Sequence, residues 1–123
     1  MKDFSQYKIL HNRSIREAFK KTDLNKKKFI LVTNNEDEFI GIITDGDFRR
    51  AIWNGVSFEK TAGELVQKDF HYLEENYRNS EAVEIFQSSN IRQIPIIRNN
   101  RLVDIIFRDD FDIPITSENK NKL

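Results

Sequence analysis

The stretch FIGIITDGDFRR, residues 39–50, joins a predicted strand to a predicted helix. Its apolar run ends at Thr44, the pair Asp45-Gly46 predicts a turn, and helix-forming sequence resumes at Asp47. A helix N-terminus reached through a glycine turn presents free backbone N–H groups, here beside a hydroxyl, carboxylates and two guanidinium groups. These groups suit a ribose and its phosphates, but a capped turn with solvated arginines explains them equally well.

A second copy of this stretch lies further along the chain. FIGIITDGDF at residues 39–48 aligns with LVDIIFRDDF at residues 102–111, which is 63 positions later. Upstream, Leu31-Val32 aligns with Ile96-Ile97 at a nearly equal offset. The same order of elements at similar spacing indicates an internal duplication. We therefore assign residues 1–60 to the first repeat, 61–115 to the second, and 116–123 to a linker or tail.

Composition limits the kind of protein this can be. With 123 residues the chain can bury a single core, and its 38% hydrophobic content argues against disorder. Its 20 basic and 20 acidic residues cancel, which gives no electrostatic reason to expect nucleic acid or a membrane as a partner. The chain has no cysteine, so disulfides, thiolate catalysis and cysteine zinc sites are excluded. No signal-peptide pattern is visible, which predicts a cytoplasmic location.

Local sequence signals predict an α/β (α+β) fold. A capping box at Ser14 starts a helix to about Thr22, and another at Thr61 opens a short helix through Val66. Each half is predicted as helix–strand–strand–helix, and the two halves pack face to face about a pseudo-twofold axis. The other predicted elements are strands Phe29–Thr33 and Phe39–Thr44, helix Asp47–Asn54, a helix from about Ser80 to Ser88, strands Ile94–Arg98 and Leu102–Phe107, and a turn at Asp109-Asp110.

The duplicated unit resembles a tandem pair of cystathionine-β-synthase (CBS) domains, also called a Bateman module. The resemblance rests on GIITDGD at residues 41–47 and QIPII at residues 93–97, and it covers about Ile9 to Phe111. It is closest to the pairs attached to sugar-1-phosphate nucleotidyltransferases and arabinose-5-phosphate isomerases. The glycine-rich signature of a transferase domain is absent from this sequence. The resemblance therefore implies a regulatory module rather than an enzyme.

The resemblance also implies a ligand site. Thr44 and Asp47 match the family's ribose-binding pattern, and Arg49 and Arg50 would face phosphate or a sugar carboxylate. The implied ligand is AMP, ATP or a nucleotide-sugar, although no cofactor is certain. The residues that would border the base are His11, Ser14 and Ile15. The residues that would close the cleft from the other side are Arg92, Gln93, Ile94 and Pro95. In the second copy Phe107 and Arg108 replace Thr44 and Asp45, which predicts one competent site per chain.

Two classes of function remain open. The favoured one is a module that senses a nucleotide or nucleotide-sugar and controls an attached or partner sugar-phosphate enzyme. The alternative is a structural module that dimerises its host and binds no small molecule. We predict no catalytic residues and no metal site, because His11 and His71 lack ligand-type spacing with other metal-binding residues. A homodimer is expected through apolar helix residues: Phe48, Ile52, Trp53, Ile85 and Phe86.

Overall fold

A computed structural model describes residues 3–116, and these residues form six strands, three α-helices and three short 3-10 turns. The predicted tail lies outside the described residues apart from Thr116. The elements, in chain order, are β1 (Lys8–Leu10), α1 (Ile15–Asn25), β2 (Phe29–Thr33), β3 (Phe39–Thr44), α2 (Asp45–Trp53), β4 (Leu73–Glu74), α3 (Asn79–Ser88), β5 (Gln93–Arg98) and β6 (Arg101–Phe107), with 3-10 turns at Ser5–Tyr7, Ala62–Glu64 and Arg108–Phe111.

The strands form two three-stranded sheets of the same topology. The strand orders are β1-β2-β3 and β4-β5-β6. In each sheet the first pair is parallel and the second antiparallel, as shown by the registers Ile9↔Val32 and Ile30↔Ile43 in one sheet and Ile94↔Ile106 in the other. The predicted mixed α/β class is therefore confirmed. The repeated topology gives the sequence duplication a structural counterpart.

Several predicted element boundaries were wrong. Strands β1 and β4 were not predicted, because they have three and two residues and are too short to show a periodic pattern. Helix α1 continues past Thr22 to Asn25 and ends where Lys26 takes a left-handed conformation, with φ of 64°. Between β6 and Thr116, where the description ends, the second half has a four-residue 3-10 turn in place of a helix like α2. The predicted short helix at Thr61 is likewise a 3-10 turn.

The described chain divides into two compact units, the first ending at Phe70 and the second starting at His71. The core of the first unit lies between its sheet and the two helices. Phe48 of α2 is fully buried there, and its ring meets the ring of Phe19 edge-on at 5.2 Å between centroids. The buried members of this core are Ile9, Ile15, Ala18, Ile30, Val32, Ile43, Phe48 and Ala62.

The segment after α2, which the sequence assigns to the second repeat, packs on the first compact unit. Ala62 is fully buried, and its N–H donates to the carbonyl of Arg13 at 2.7 Å. Further on, Ile42 and Gln67 exchange two backbone hydrogen bonds of 2.8 and 3.1 Å. We call residues 61–67 the return segment. It explains why the first unit ends after Phe70 and not after residue 60.

The second unit has its own core, formed by α3 and the second sheet. Phe86 is fully buried in it. Phe48 and Phe86 were expected on a dimer surface, and this expectation was wrong because both rings fill cores. The buried members of the second core are Leu73, Ala82, Phe86, Ile94, Ile96 and Ile106.

Arg108 is the least expected buried residue of the second unit, with 3% of its surface exposed. Its guanidinium donates to five backbone carbonyls at 2.5–3.3 Å, those of Phe86, Ser89, Ile91, Ile113 and Pro114. Burial, reinforced by the charge of Arg92, lowers the pKa of Arg108, while Asp109 acts in the opposite direction. Through these hydrogen bonds the Arg108 side chain connects the C-terminal end of α3 with the residues that follow the last 3-10 turn.

The helices of the described residues are all too short or too polar to span a membrane.

Candidate functional site

The junction between β3 and α2 contains no turn. The sequence predicted a turn at Asp45-Gly46, but the helix begins at Asp45, so these two residues form its first turn. Thr44 is the N-cap and Asp47 is the third helical residue, which is the spacing of a capping box. The predicted turn was wrong because a capping pair lets the strand pass directly into the helix. The expected grouping of a hydroxyl and a carboxylate at a helix N-terminus is nevertheless present.

The Asp47 carboxylate is the centre of this junction. It is 5% exposed and accepts hydrogen bonds on both oxygens. Its Oδ2 accepts from the backbone N–H of Thr44 at 2.8 Å and from the Thr44 hydroxyl at 3.0 Å. Its Oδ1 accepts from Arg50 Nη2 at 2.5 Å and from Gln67 Nε2 at 3.3 Å. Asp47 is therefore a buried, fixed anion at the positive end of α2.

Gln67 is the member of this cluster that sequence reasoning missed. It lies 20 residues after Asp47, in the return segment, and no motif links the two positions. The return segment reaches Asp47 because Gly41 of β3 has no side chain. A Cβ at Gly41 would overlap the carbonyl oxygen of Gln67 and lie 2.5 Å from Val66 Cγ2. The glycine in the repeated motif was the available signal, since a glycine inside a strand often marks the close approach of another backbone.

The two arginines of α2 lie mainly in solvent. The side chain of Arg50 is 69% exposed although its Nη2 contacts Asp47. The side chain of Arg49 is 75% exposed, and its Nε lies 3.6 Å from a carboxylate oxygen of Asp45. An exposed ion pair contributes little net free energy, about 0–1 kcal/mol, so Arg49 can leave Asp45 for another anion at small cost. The partner of Arg50 is the buried Asp47 carboxylate, so Arg50 can leave it only if the bound ligand compensates the lost contact.

His11, Ser14 and Ile15 lie near the return segment in the first unit. The carbonyl of His11 accepts from Gly63 N–H at 2.9 Å, and the hydroxyl of Ser14 accepts from Glu17 N–H at 3.1 Å as the cap of α1. Ile15 is fully buried in the core. Its side chain is therefore not accessible to a ligand in this structure, and the expectation that Ile15 borders a base remains a prediction.

The four predicted residues Arg92 to Pro95 belong to the second unit. Arg92 is exposed and Gln93 is half-buried at the start of β5. Ile94 and Pro95 are buried, so their side chains are not available to a ligand in this structure either. Within this group, the side chains that are accessible to a ligand are therefore those of Arg92 and Gln93.

A separate groove of about 590 Å³ runs along α1 and β1 of the first unit. Its lining does not include the cluster around Asp47. It consists of Ser5, Lys8, Ile9, Leu10, Arg13, Glu17, Lys20, Lys21, Leu24, Thr33 and Asp37.

Comparison with known proteins identifies the family. A model described as "CBS domain" matches residues 7–54 and 62–111. The chain belongs to the CBS domain family. It carries a tandem pair of these domains. The second match begins at residue 62, within the return segment, so the family repeat and the compact unit do not share a boundary.

Relatives of this CBS pair include proteins from bacteria and archaea. An uncharacterized protein from Rickettsia prowazekii is 39% identical over 89 residues, which are 71% of this chain and 28% of that protein. Among solved structures, one described as an acetoin utilization protein from Vibrio cholerae has a TM-score of 0.77 at 19% identity, covering 86% of this chain and 79% of the other. The CBS domain protein of Pyrobaculum aerophilum complexed with AMP has a TM-score of 0.72 at 18% identity, covering 84% and 80%. The chain thus spans about a quarter of the length of its Rickettsia relative.

The second CBS repeat lacks the first repeat's cluster. Phe107 precedes the 3-10 turn at the position of Thr44, and Arg108 is turned inward at the position of Asp45. Asp110 corresponds to Asp47 in the alignment but is exposed. A four-residue 3-10 turn also lacks the aligned peptide dipoles of α2.

No group of three or more His, Asp or Glu side chains in residues 3–116 is placed to hold a metal ion.

Proposed function

We propose that the first CBS unit binds the ribose and phosphate of an adenosine nucleotide at the β3–α2 junction. The observation that carries the proposal is the buried Asp47 carboxylate, fixed at the N-terminus of α2 with Arg49 and Arg50 one turn further on. The AMP complex of the Pyrobaculum relative supports an adenosine nucleotide as the ligand class.

The chemistry assigns each group a role. The hydroxyls of a ribose donate to the Asp47 carboxylate, which is desolvated and so forms a strong, charge-assisted hydrogen bond. The phosphate binds Arg50 or Arg49, whose exposed guanidinium groups can leave Asp47 and Asp45 and still keep a partner. The dipole of α2 favours negative charge at the same end. AMP, ATP and nucleotide-sugars all present this ribose–phosphate pair.

The regulatory role extends this proposal. Ligand binding at the junction would bias an attached or partner enzyme that acts on sugar phosphates, of the nucleotidyltransferase type. The support for this enzyme class is the sequence resemblance alone, in the motif at residues 41–47.

Dimerisation without a ligand is a second candidate function. Helix α2 ends in Ile52, which is 58% exposed, and Trp53, which is 90% exposed. Two adjacent large apolar side chains at one helix end favour burial against a second copy of the chain.

The test of nucleotide binding compares two aspartates at matched repeat positions. Asp47→Ala removes the buried acceptor and should weaken AMP binding by at least about tenfold, because hydrogen bonds to charged groups contribute about 1.5–3 kcal/mol. Asp110→Ala changes the exposed counterpart and should leave the affinity unchanged. Isothermal titration with AMP, ATP and a nucleotide-sugar measures both variants.

Thermal unfolding of the same variants separates affinity from folding. Asp47→Ala also removes half of a capping box, which costs about 1 kcal/mol of stability, and the variant should stay folded. In the wild type, a nucleotide at 100 times its Kd should raise the free energy of unfolding by about 2.7 kcal/mol. Equal effects of the two substitutions, or no binding of any of these nucleotides, would favour the dimerisation function.

A further inference from the structure

The two oxygens of the Asp47 carboxylate have different partners. Oδ2 is used by Thr44, whose N–H and hydroxyl both donate to it and belong to the local cap of α2. Oδ1 is used by two side chains from elsewhere, Arg50 at 2.5 Å and Gln67 at 3.3 Å. A ribose hydroxyl that binds without breaking the helix cap must therefore bind Oδ1.

Oδ1 has no room for a third donor. A carboxylate oxygen offers about two lone-pair sites, and Arg50 and Gln67 occupy both. The two hydroxyls of a ribose can both donate to Oδ1 only if Arg50 and Gln67 both leave. Arg50 gains a phosphate oxygen when it leaves, because its charge is attracted to the same ligand. The neutral Gln67 amide gains nothing comparable from the ligand.

We propose that Gln67 is an internal competitor of the ribose and sets the nucleotide affinity of the first CBS unit. This inference rests on the proposed function. The Gln67 amide holds the place of a ribose hydroxyl on Asp47, and a nucleotide displaces it. Gln67 is held in position by the backbone pairing of the return segment with Ile42, so it competes at high local concentration.

The return segment stays bound when the side chain moves. The backbone bonds between Ile42 and Gln67 do not involve the amide group of the side chain. Gln67 is also exposed, so its side chain can rotate into solvent. The replacement of Gln67 by alanine therefore removes the competitor without removing the structure that carries it.

The experiment measures AMP affinity by isothermal titration for the full chain and for Gln67→Ala. We expect the variant to bind AMP about fivefold more tightly, because the lost hydrogen bond no longer has to be broken by the ligand. Gln6→Ala is the matched control, since Gln6 is an exposed glutamine of the same unit whose backbone carbonyl accepts from Asn25. Its affinity for AMP should equal that of the wild type.

A second readout follows the displaced group directly. The side-chain amide signals of Gln67 in a ¹⁵N-labelled chain, assigned by their loss in Gln67→Ala, should shift when AMP saturates the site. A merely structural role for Gln67 would lower the melting temperature and leave these signals unchanged on AMP addition.

The outcomes separate this inference from the proposed function. An unchanged or weaker AMP affinity in Gln67→Ala, with Asp47→Ala still impaired, overturns the competitor role and leaves nucleotide binding intact. AMP binding by Gln67→Ala but not by the wild type supports both. No binding by either chain overturns both.

Discussion

Arg108 shows how one residue changes the chemistry of a duplicated junction. In the first repeat the aligned position is Asp45, an acidic residue in the first turn of α2. In the second repeat the guanidinium of Arg108 turns inward, lies 5.4 Å from the centre of the Phe86 ring and donates to five carbonyls. A buried cation satisfied entirely by backbone oxygens serves the fold and leaves little for a ligand.

Arg108→Met should destabilise the chain by about 3 kcal/mol or more, because buried carbonyls would lose their donor at a cost of about 1–3 kcal/mol each. Arg98→Met is the control in the same unit. The Arg98 side chain is 62% exposed and pairs with Glu75 at 3.0 Å, so its loss should cost less than about 1 kcal/mol. Urea unfolding of both variants gives the comparison, and equal midpoints would show that the five bonds add no net stability.

At the scale of the element, the return segment depends on the absence of a side chain in β3. Gly41 is in close contact with Val66 and Gln67 of the return segment. The aligned residue of the second repeat is Asp104. The return segment also contributes Ala62 to the first core. The glycine in the motif thus leaves room for the backbone of the return segment.

Gly41→Ala should release the end of the return segment, because the added Cβ overlaps the Gln67 carbonyl. The loss of two backbone hydrogen bonds should cost about 1–3 kcal/mol. Hydrogen exchange by NMR should show faster exchange at the amides of Ile42 and Gln67. Gly55→Ala is the control, since Gly55 has φ of 71° and nothing within 4 Å, so only the backbone penalty applies. Unchanged protection at Ile42 in Gly41→Ala would contradict this account.

For the molecule as a whole, the duplication and the mixed α/β class could be predicted because the same order of apolar runs occurs twice in the sequence. The strand bounds Phe29–Thr33 and Phe39–Thr44 followed from the same runs and agree with the structure. Gly41 could indicate that some backbone approaches β3 closely, but the contact between Gln67 and Asp47 could not be predicted, since no local pattern identifies which segment approaches or in which register. The buried state of Ile15 and of Arg108 also depends on tertiary packing, which overrides local expectation.

Association of whole chains should depend on the end of α2. Ile52→Ala together with Trp53→Ala should shift the chain toward a monomer, because both exposed side chains would lose apolar surface. Leu24→Ala is the control, as Leu24 is 74% exposed on a different helix. Light scattering should give twice the chain mass of 14.6 kDa for the wild type and the control. A wild-type chain that scatters as a monomer at tens of micromolar would exclude this interface.

The return segment also bears on how such a protein can be divided or recombined. The family repeat resumes at residue 62, whereas the first compact unit continues to Phe70. A gene cut at the edge of the family repeat would therefore leave the first half without Ala62 and without Gln67, which forms a β-bridge with Ile42. The boundary between the two family repeats therefore lies several residues before the boundary between the two compact units. Chimeras of related pairs should accordingly be joined after Phe70, where each half keeps the residues that fill its own core.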